Sequence, residues 1–265
     1  MRQIVVLMLA AACAAHLAAE TPEQRGKRVV NECLAALGGE RYRNMLNRVE
    51  SGRAYSFYRE KVSGFALATI YTRYDNSVTD TGNQLAQRER DNFGKKQDYG
   101  TLFTDTDAWD ITFRGARPLP TDRFVRYKTT TLHDIFYILR VRLNEPGWII
   151  ESKGADVVEN SPVEIVDLTD SQNRTTTVYF HQITKLPVRQ VFYRRDEVTH
   201  DRDEEVTHFD KYREVDGIQW PFAIERDRNG EKIYEIFSNS VTFNNEKVSN
   251  DLFVLPSGIT VLKPE

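Results

Sequence analysis

The second half of the chain is a run of strand-like segments separated by tight-turn signals, and this pattern restricts the possible folds more than any other feature. Asn229-Gly230, between two segments of alternating polarity, is a strong signal for a two-residue hairpin, and Asp216-Gly217 is a second turn signal. Consecutive strands joined by short turns predict an antiparallel sheet. The segments are rich in β-branched and aromatic residues and occupy residues 148–156, 163–170, 175–181, 187–195, 204–213, 218–228 and 232–243.

The first half of the chain adds more strand-like segments. They occupy residues 53–59, 64–74, 84–91, 98–103 and 109–114. Residues 84–91 alternate only weakly in polarity and are strongly charged, which predicts a strand that faces solvent. The Pro118–Pro120 segment then interrupts the strand pattern.

Two segments have helical periodicity. Thr21, Pro22 and Gln24 provide a helix start with a capping box, and Gly38-Gly39 ends that helix. A second helix is predicted from residue 121 or 122 to about residue 143, with an apolar stripe along one side. The Thr129-Thr130-Thr131 run lowers helix propensity and predicts an irregular middle for this helix.

These patterns together predict a mainly β protein with helices, of the α+β class. We expect about 11 strands in a strongly curved antiparallel sheet, because an antiparallel sheet of this length curls. Each helix has a single apolar stripe and must bury it, so the two helices are expected to lie on the sheet.

The first 19 residues have the pattern of a secretory signal peptide. Arg2 precedes an apolar run, small residues follow, and the chain becomes polar at Glu20. The run is shorter than the roughly 20 apolar residues that a membrane-spanning helix needs. We therefore expect cleavage after Ala19 and a periplasmic or secreted product in which residues 20–265 form a single domain.

Two alternatives for this segment remain. The apolar run is also compatible with a buried N-terminal helix, although it lacks a polar face. Cys13 follows small residues and is a candidate for lipidation, which would anchor the protein to a membrane. Leu9, however, lies one residue too far upstream of Cys13 for a typical lipoprotein signal.

Charge and cysteine content exclude several functional classes. The formal net charge is −3 and both signs are interspersed, so no basic stripe for a nucleic acid is present. The chain has 2 cysteines, and cleavage of the signal peptide would leave only Cys33, which excludes an internal disulfide. Cys33 occupies an apolar position of the first predicted helix, so we interpret it as a buried thiol rather than a nucleophile.

A search for catalytic motifs gives one weak candidate. The chain has no Gly-x-Ser-x-Gly nucleophile motif and no phosphate-binding glycine loop. Residues 200–210 contain His200, Glu204, His208 and Asp210, which include ligands suited to a transition metal. The alternative is a charged hairpin tip, which we favour, and we expect neither a bound metal nor a cofactor. The chain has 3 tryptophans, which we interpret as sheet core rather than sugar-stacking platforms; they are Trp109, Trp148 and Trp220.

Several short motifs in the second half resemble a known family. In chain order they are Leu186-Pro187-Val188-Arg189, Thr207-x-Phe209, Tyr212, Val215-Asp216-Gly217-Ile218, Trp220-Pro221-Phe222-Ala223-Ile224, and then Val241, Asn244, Val248, Leu252-Phe253 and Pro256. This order resembles the LolA/LolB-like periplasmic lipoprotein-carrier superfamily, whose members are often described as outer-membrane lipoprotein-sorting proteins. The resemblance lies mainly in residues 180–256. The helix end Ala35-Ala36-Leu37-Gly38-Gly39 is similar to the start of many envelope members.

The resemblance implies an unclosed antiparallel barrel with helices on its concave face and a non-catalytic carrier function. Lipid or lipoprotein acyl chains would be the ligands, held in an apolar cavity between sheet and helices, and an envelope membrane protein is a further possible partner. Strand alternation gives these candidates for the cavity lining: Phe65, Leu67, Trp109, Ile111, Phe113, Phe136, Leu139, Val178, Phe180 and Ile224.

Each of these side chains is equally compatible with ordinary core packing. Which face of a strand points inward is not fixed by the sequence, since a shift of one residue turns every side chain to the opposite face. Two other functions therefore stay open. One is an envelope scaffold or interaction module with the same fold and a filled core. The other is a metal-dependent enzyme that uses residues 200–210.

Overall fold

The computed structural model describes residues 20–195 and 200–264. The predicted signal peptide, including Ala19 and the alternative lipidation site Cys13, lies outside the described residues. Among the described residues, no helix is both long enough and apolar enough to cross a membrane.

The described chain folds around one antiparallel sheet of 13 strands. The strands are β1 (Asn47–Tyr58), β2 (Lys61–Tyr74), β3 (Gln87–Phe93), β4 (Tyr99–Phe103), β5 (Ala108–Thr112), β6 (Gly115–Pro118), β7 (Ile149–Val158), β8 (Ser161–Thr169), β9 (Thr175–His181), β10 (Pro187–Arg195), β11 (Arg202–Val215), β12 (Ile218–Arg228) and β13 (Glu231–Phe243). Their order in the sheet is β6-β5-β4-β3-β2-β1-β13-β12-β11-β10-β9-β8-β7. Strands β6 and β7 are the two edges, so the sheet is not closed.

The predicted fold class is confirmed, with a slightly larger strand count than expected. Strand β6 was not predicted, because residues 115–118 lead directly into the Pro118–Pro120 segment. Proline removes a backbone donor, but Pro118 lies on an edge strand, where it is tolerated. The Asn229-Gly230 hairpin is confirmed: both residues have positive φ, 52° and 78°, as a type I′ turn requires.

The first helix, α1 (Pro22–Leu37), has the predicted ends. The Gln24 backbone N–H donates to Thr21 Oγ1 over 3.2 Å, and the Thr21 N–H donates to Gln24 Oε1 over 3.0 Å, which completes the capping box. At the other end, Gly38 has a φ of 125° and its N–H donates to the Ala35 carbonyl. A one-turn helix, α2 (Glu40–Arg43), follows.

The second helical region is broken, although not at the threonine run. Helix α3 (Thr121–His133) ends at Asp134, whose ψ of 123° is extended. Asp134 then caps a new turn, α4 (Ile135–Tyr137), by accepting the backbone N–H of Phe136 over 2.8 Å. A π-helical turn, Ile138–Arg142, completes this region. A 3-10 turn, Asn250–Phe253, lies near the C-terminus.

The sheet curves around the helices. Helix α1 packs mainly on β7 and also on β8 and β12, and β12 lies four strands away from β8 in the sheet. Gly26 allows the closest approach, since a Cβ there would lie 2.9 Å from the Ile150 carbonyl oxygen. We call the face covered by α1, α3 and α4 the inner face, and the opposite one the outer face.

Each face has its own apolar cluster. The inner cluster buries the α1 stripe together with side chains from α4 and the second half of the sheet, including Leu37, Phe136, Phe180 and Trp220. On the outer face, the C-terminal segment covers strands β4 and β5, where Val248 and Phe253 pack on Leu102 with Trp109 and Ile111 beside them. Helices α1 and α4 pack on the inner face at the second half of the sheet, and a cavity lies beneath α3, toward the first half and the middle.

Candidate functional site

A cavity of about 430 Å³ lies between helix α3 and the inner face of the sheet. Strands β1 to β4 and β11 to β13 supply its floor, and α3 with the start of α4 supplies its roof. This volume is within the range of small-molecule sites in proteins. The strand order explains the position, since β1 and β13 join the two halves of the sheet at its centre.

Part of the cavity lining is aromatic and aliphatic, and we call this part the aromatic wall. Phe103 of β4 stacks on Tyr127 of α3 with ring centroids 3.8 Å apart. Phe136 lies against Trp220, with ring centroids 4.7 Å apart, and its ring meets Phe209 edge-on. Leu119, Ile224, Ile233, Tyr74, Tyr137 and Tyr234 complete this wall. Such a wall is suited to burying methylene groups.

The rest of the lining is charged, in contrast to the apolar cavity that the family resemblance implies. Arginines and carboxylates alternate around it: Arg48, Glu89, Asp91, Arg123, Arg126, Asp134, Glu205, Arg226 and Arg228. Part of this set forms a polar ladder across three strands. Arg48 donates to Thr72 Oγ1 over 3.1 Å, and Thr72 donates to Glu89 over 3.3 Å. The cavity is therefore amphipathic.

Burial makes the ionised carboxylates of this cavity unfavourable. Burial raises the pKa of Asp91 well above its ordinary value, and the neighbouring Glu89 raises it further, while Arg226 and Arg48 act in the opposite direction. Burial likewise raises the pKa of Glu89 and of Asp134, again opposed by Arg48 and Arg226. Because these positive charges only partly offset burial, the carboxylates gain from any additional cation in the cavity.

Several polar atoms at the cavity lack a hydrogen-bond partner among the described residues. They are Arg48 Nε, Asp91 Oδ1, Arg126 Nε, Trp220 Nε1 and Arg226 Nε. Trp220 is 1 % exposed, so its N–H is shielded from bulk solvent. Buried polar groups in folded proteins are nearly always hydrogen-bonded, and each exception calls for an explanation such as a functional role. These unpaired atoms make the cavity the candidate ligand site.

The ten predicted lining residues divide between the two faces. Phe136 and Ile224 line the cavity, and Leu139, Val178 and Phe180 lie in the inner core. Trp109 and Ile111 pack in the outer cluster, and Leu67 and Phe65 share the outer face of β2 with Tyr71 of that cluster. Phe113 is 83 % exposed in the turn between β5 and β6. A role in ligand binding stays a prediction for all ten.

The sequence-based prediction missed the charged lining because it interpreted charged residues on a strand as exposed to solvent. Gln87, Glu89 and Asp91 alternate along β3 and were predicted to face solvent, but they point into the cavity. The signal present in the sequence was the alternation of arginines and carboxylates along this strand, which places Glu89 and Asp91 on one face. It becomes informative only once a helix is known to cover that face, which depends on long-range packing.

Residues 200–210 do not form a metal centre. His200 is exposed in a turn with a φ of 62°. His208 lies on the outer face of β11, with Nε2 at 3.2 Å from Asp227 and Nδ1 at 3.5 Å from Glu159. Across residues 20–195 and 200–264, no three His, Cys, Asp or Glu side chains converge so as to hold a metal ion. The stretch is better described as a hairpin tip that leads into a strand.

Solved structures with the same fold cover most of the chain. A DUF1329 family protein from Desulfovibrio piger superposes with a TM-score of 0.59 at 13% sequence identity, covering 88% of this chain and 98% of the other. A putative outer membrane lipoprotein-sorting protein domain from Vibrio parahaemolyticus gives a TM-score of 0.55 at 10% identity, covering 86% and 97%. A LolA superfamily protein from Nitrosomonas europaea gives 0.50 at 9% identity, covering 86% and 97%.

These similarities define the fold class. The chain has the LolA-like fold, and the resemblance seen in its sequence motifs is confirmed at the level of the fold. No protein-family model and no curated protein sequence matches the chain. At such low identity the likeness carries the fold alone, so function must be argued from the cavity.

Proposed function

We propose that this protein is a non-catalytic carrier or binding protein of the bacterial envelope, and that it binds one amphiphilic acyl-chain ligand in the cavity beneath α3. Lipids and acylated peptides are the ligand classes in question. The observation that carries this proposal is the cavity itself, which opens between the sheet and helix α3. Its lining joins an aromatic wall to unpaired polar groups.

The aromatic wall supplies the affinity for the acyl chain. Each methylene group that leaves water for an apolar surface contributes about 0.8 kcal/mol. Phe103, Tyr127, Phe136 and Trp220 line the cavity, with the Phe103 and Tyr127 rings stacked and the Phe136 and Trp220 rings tilted against each other. The polar groups then orient the ligand, as in other small-molecule sites where a few placed donors and acceptors fix the pose.

The envelope location rests on the predicted signal peptide and on the names of proteins with this fold. The similar structure from Vibrio parahaemolyticus is described as a putative outer membrane lipoprotein-sorting protein domain. We extend that description to this chain as a proposal: after export, the protein would take an amphiphile from one membrane-associated site and release it at another. An envelope membrane protein would be the donor or acceptor.

Native mass spectrometry of the exported protein tests this function. The protein, expressed with its own leader and purified without detergent, is expected to retain a lipid or acylated peptide at near-unit stoichiometry, identified after organic extraction. Thr130→Trp is the test variant, because Thr130 lines the cavity from α3. Filling the cavity should remove the bound ligand, whereas Thr129→Trp, the adjacent residue outside the lining, should leave it bound.

The opposite outcome is equally clear. A protein that emerges without ligand and does not take up phospholipid, fatty acid or acylated peptide when these are offered refutes the carrier function. An envelope scaffold with the same fold would then be the better interpretation. Circular dichroism and a urea unfolding curve for both tryptophan variants establish that any loss of ligand is not a loss of folding.

A further inference from the structure

Arg228 and Glu205 form an ion pair at the cavity, with Arg228 Nε 2.8 Å from Glu205 Oε1, but other opposite charges of the lining form no ion pair among the described residues. Arg226 forms no ion pair with Glu89, Asp91 or Asp134 among the described residues, and its Nε–H is unpaired. Yet the Arg226 guanidinium lowers the pKa of each of these three carboxyl groups against the effect of burial. These opposite charges line the same cavity without forming an ion pair among the described residues.

The strand register fixes this arrangement. Glu89 and Asp91 are two residues apart on β3 and both point inward, with Asp91 opposite Ile70 of β2. Arg226 projects inward from β12 on the other side of β1 and β13, and its guanidinium lies 5.7 Å from the centroid of the Tyr234 ring. Asp134 adds a third carboxylate from the link between α3 and α4. Carboxylates and guanidinium thus come from separate elements around one space.

A ligand with only one sign of charge is repelled in this space by side chains of the same sign. An anion that approaches Arg226 also approaches Glu89, Asp91 and Asp134, and a cation that approaches these carboxylates also approaches Arg48 and Arg226. Unpaired buried charges are costly, and a ligand relieves the cost on both sides only if it carries both charges. A phosphate joined to an ammonium by a short linker has this property.

We propose that the cavity recognises the headgroup of a zwitterionic amphiphile, a phosphoethanolamine-type group with adjacent phosphate and ammonium. The ammonium lies against the Glu89 and Asp91 side chains, which line the cavity. The phosphate lies against the Arg226 guanidinium, on the β12 side of the cavity. This inference rests on the proposed function, because the acyl chain attached to that headgroup would occupy the aromatic wall.

Titration calorimetry below the critical micelle concentration tests the headgroup directly. The probes are dihexanoyl phosphatidylethanolamine and dihexanoyl phosphatidylglycerol, which share acyl chains and phosphate but differ in the ammonium. We expect the ethanolamine lipid to bind about 10-fold more tightly or better, the effect of roughly one charge-assisted hydrogen bond. Free O-phosphoethanolamine, without acyl chains, should bind far more weakly than the lipid.

Two variants separate the roles of the two charges. Asp91→Asn should weaken binding of the ethanolamine lipid. Binding of the glycerol lipid should stay unchanged or become tighter, so that the preference for the ethanolamine lipid disappears. Arg226→Gln should weaken binding of both lipids to a similar extent, because both carry the phosphate. Asp227→Asn and Arg88→Gln serve as matched controls, because they remove the same two kinds of charge on the outer face of β12 and β3. Neither substitution should alter the affinity for either lipid.

The variants also report on folding. Asp91→Asn is isosteric and removes a carboxylate that burial disfavours, so its thermal midpoint should equal or exceed that of the unmodified protein. Loss of lipid preference together with unchanged or raised stability supports a binding role for Asp91. A preference that survives in Asp91→Asn, or equal binding of both lipids by the unmodified protein, overturns the inference.

The two proposals fail in different ways. If neither lipid binds, the acyl-chain function itself is refuted. If both lipids bind equally, the carrier function stands and only the headgroup inference is lost. If free O-phosphoethanolamine binds as tightly as the ethanolamine lipid, headgroup recognition stands but the acyl chain is not part of the ligand.

Discussion

The substitution Asp170→Asn should loosen the roof of the cavity and destabilise the whole fold. The Asp170 side chain, 1 % exposed, accepts from Arg142 Nη2 over 2.8 Å and from Arg174 Nε over 2.7 Å. Arg142, equally buried, also donates to the Leu132 carbonyl over 2.9 Å. This network ties the C-terminal end of α3 to the turn between β8 and β9, so it holds the helix that covers the cavity.

The magnitude follows from the pKa of Asp170. Burial by itself would raise this pKa, but hydrogen bonds from Arg142 and Arg174 outweigh burial and lower the pKa of Asp170 to about 2 from an ordinary value of 3.8. A pKa unit corresponds to about 1.4 kcal/mol, so the ionised form of Asp170 contributes roughly 2 kcal/mol to the free energy of unfolding. Because the folded-state pKa is depressed, this stability is fully present above about pH 4 and is lost as pH falls through about 2.

Removing the charge has a further cost at neutral pH. The Asp170→Asn substitution would leave Arg142 buried with Glu145 as its remaining carboxylate partner, and breaking a buried ion pair on one side costs about 3–5 kcal/mol. Urea unfolding at pH 7 should show a loss in this range for Asp170→Asn. The exposed Asp156→Asn serves as control and should change the free energy of unfolding by less than about 0.5 kcal/mol.

The pH series supplies the refuting result. The difference in the free energy of unfolding between the unmodified protein and Asp170→Asn should shrink by roughly 2 kcal/mol as pH falls from about 4 to about 2. A difference that stays constant over this interval, or a variant as stable as the unmodified protein at pH 7, contradicts the reasoning from the Asp170 network.

Three further predictions concern local features of the fold. Gly26→Ala should lower the free energy of unfolding by about 1–3 kcal/mol, because the new Cβ would meet the Ile150 backbone, whereas the exposed Lys27→Ala should have little effect in the same urea assay. Glu60→Gly should raise the free energy of unfolding by about 1 kcal/mol, because Glu60 has a φ of 61° in the β1–β2 turn, where a residue other than glycine is strained. A lower free energy of unfolding in this variant would contradict that strain. Cys33 is fully buried, which raises the pKa of its thiol, so a thiol reagent should modify it only after unfolding; rapid reaction in the native protein would contradict this packing.

The sequence was sufficient for the parts of the fold that depend on local chemistry. The α1 capping box, its glycine end and the Asn229-Gly230 turn all depend on residues within a few positions of one another, and the structure confirms each. The antiparallel order follows from short turns between consecutive strands. The break at Asp134 was misplaced because Asp134 acts through its hydrogen bonds to the following turn, whereas helix propensity pointed to the threonines.

The site was harder to predict from the sequence than the fold, because the face to which a strand residue points depends on contacts with distant parts of the chain. Trp109 and Ile111 were predicted to line a cavity, but the C-terminal segment covers them on the outer face. That segment lies more than a hundred residues further along the chain, and no local pattern reveals that it folds back over β4 and β5. Glu89 and Asp91 were assigned to solvent for the same reason, since helix α3 covers them only in the folded chain.

The most direct test of the central claim is photo-crosslinking with an acyl-chain probe. A phosphatidylethanolamine analogue that carries a diazirine in its acyl chain is bound to the protein, activated by light, and the labelled peptides are mapped by mass spectrometry. The account predicts labels on the cavity wall, at Phe103, Phe136 or Trp220, and loss of these labels in Thr130→Trp. Labels concentrated on the exposed outer face of β2, at Phe65 and Leu67, would contradict it.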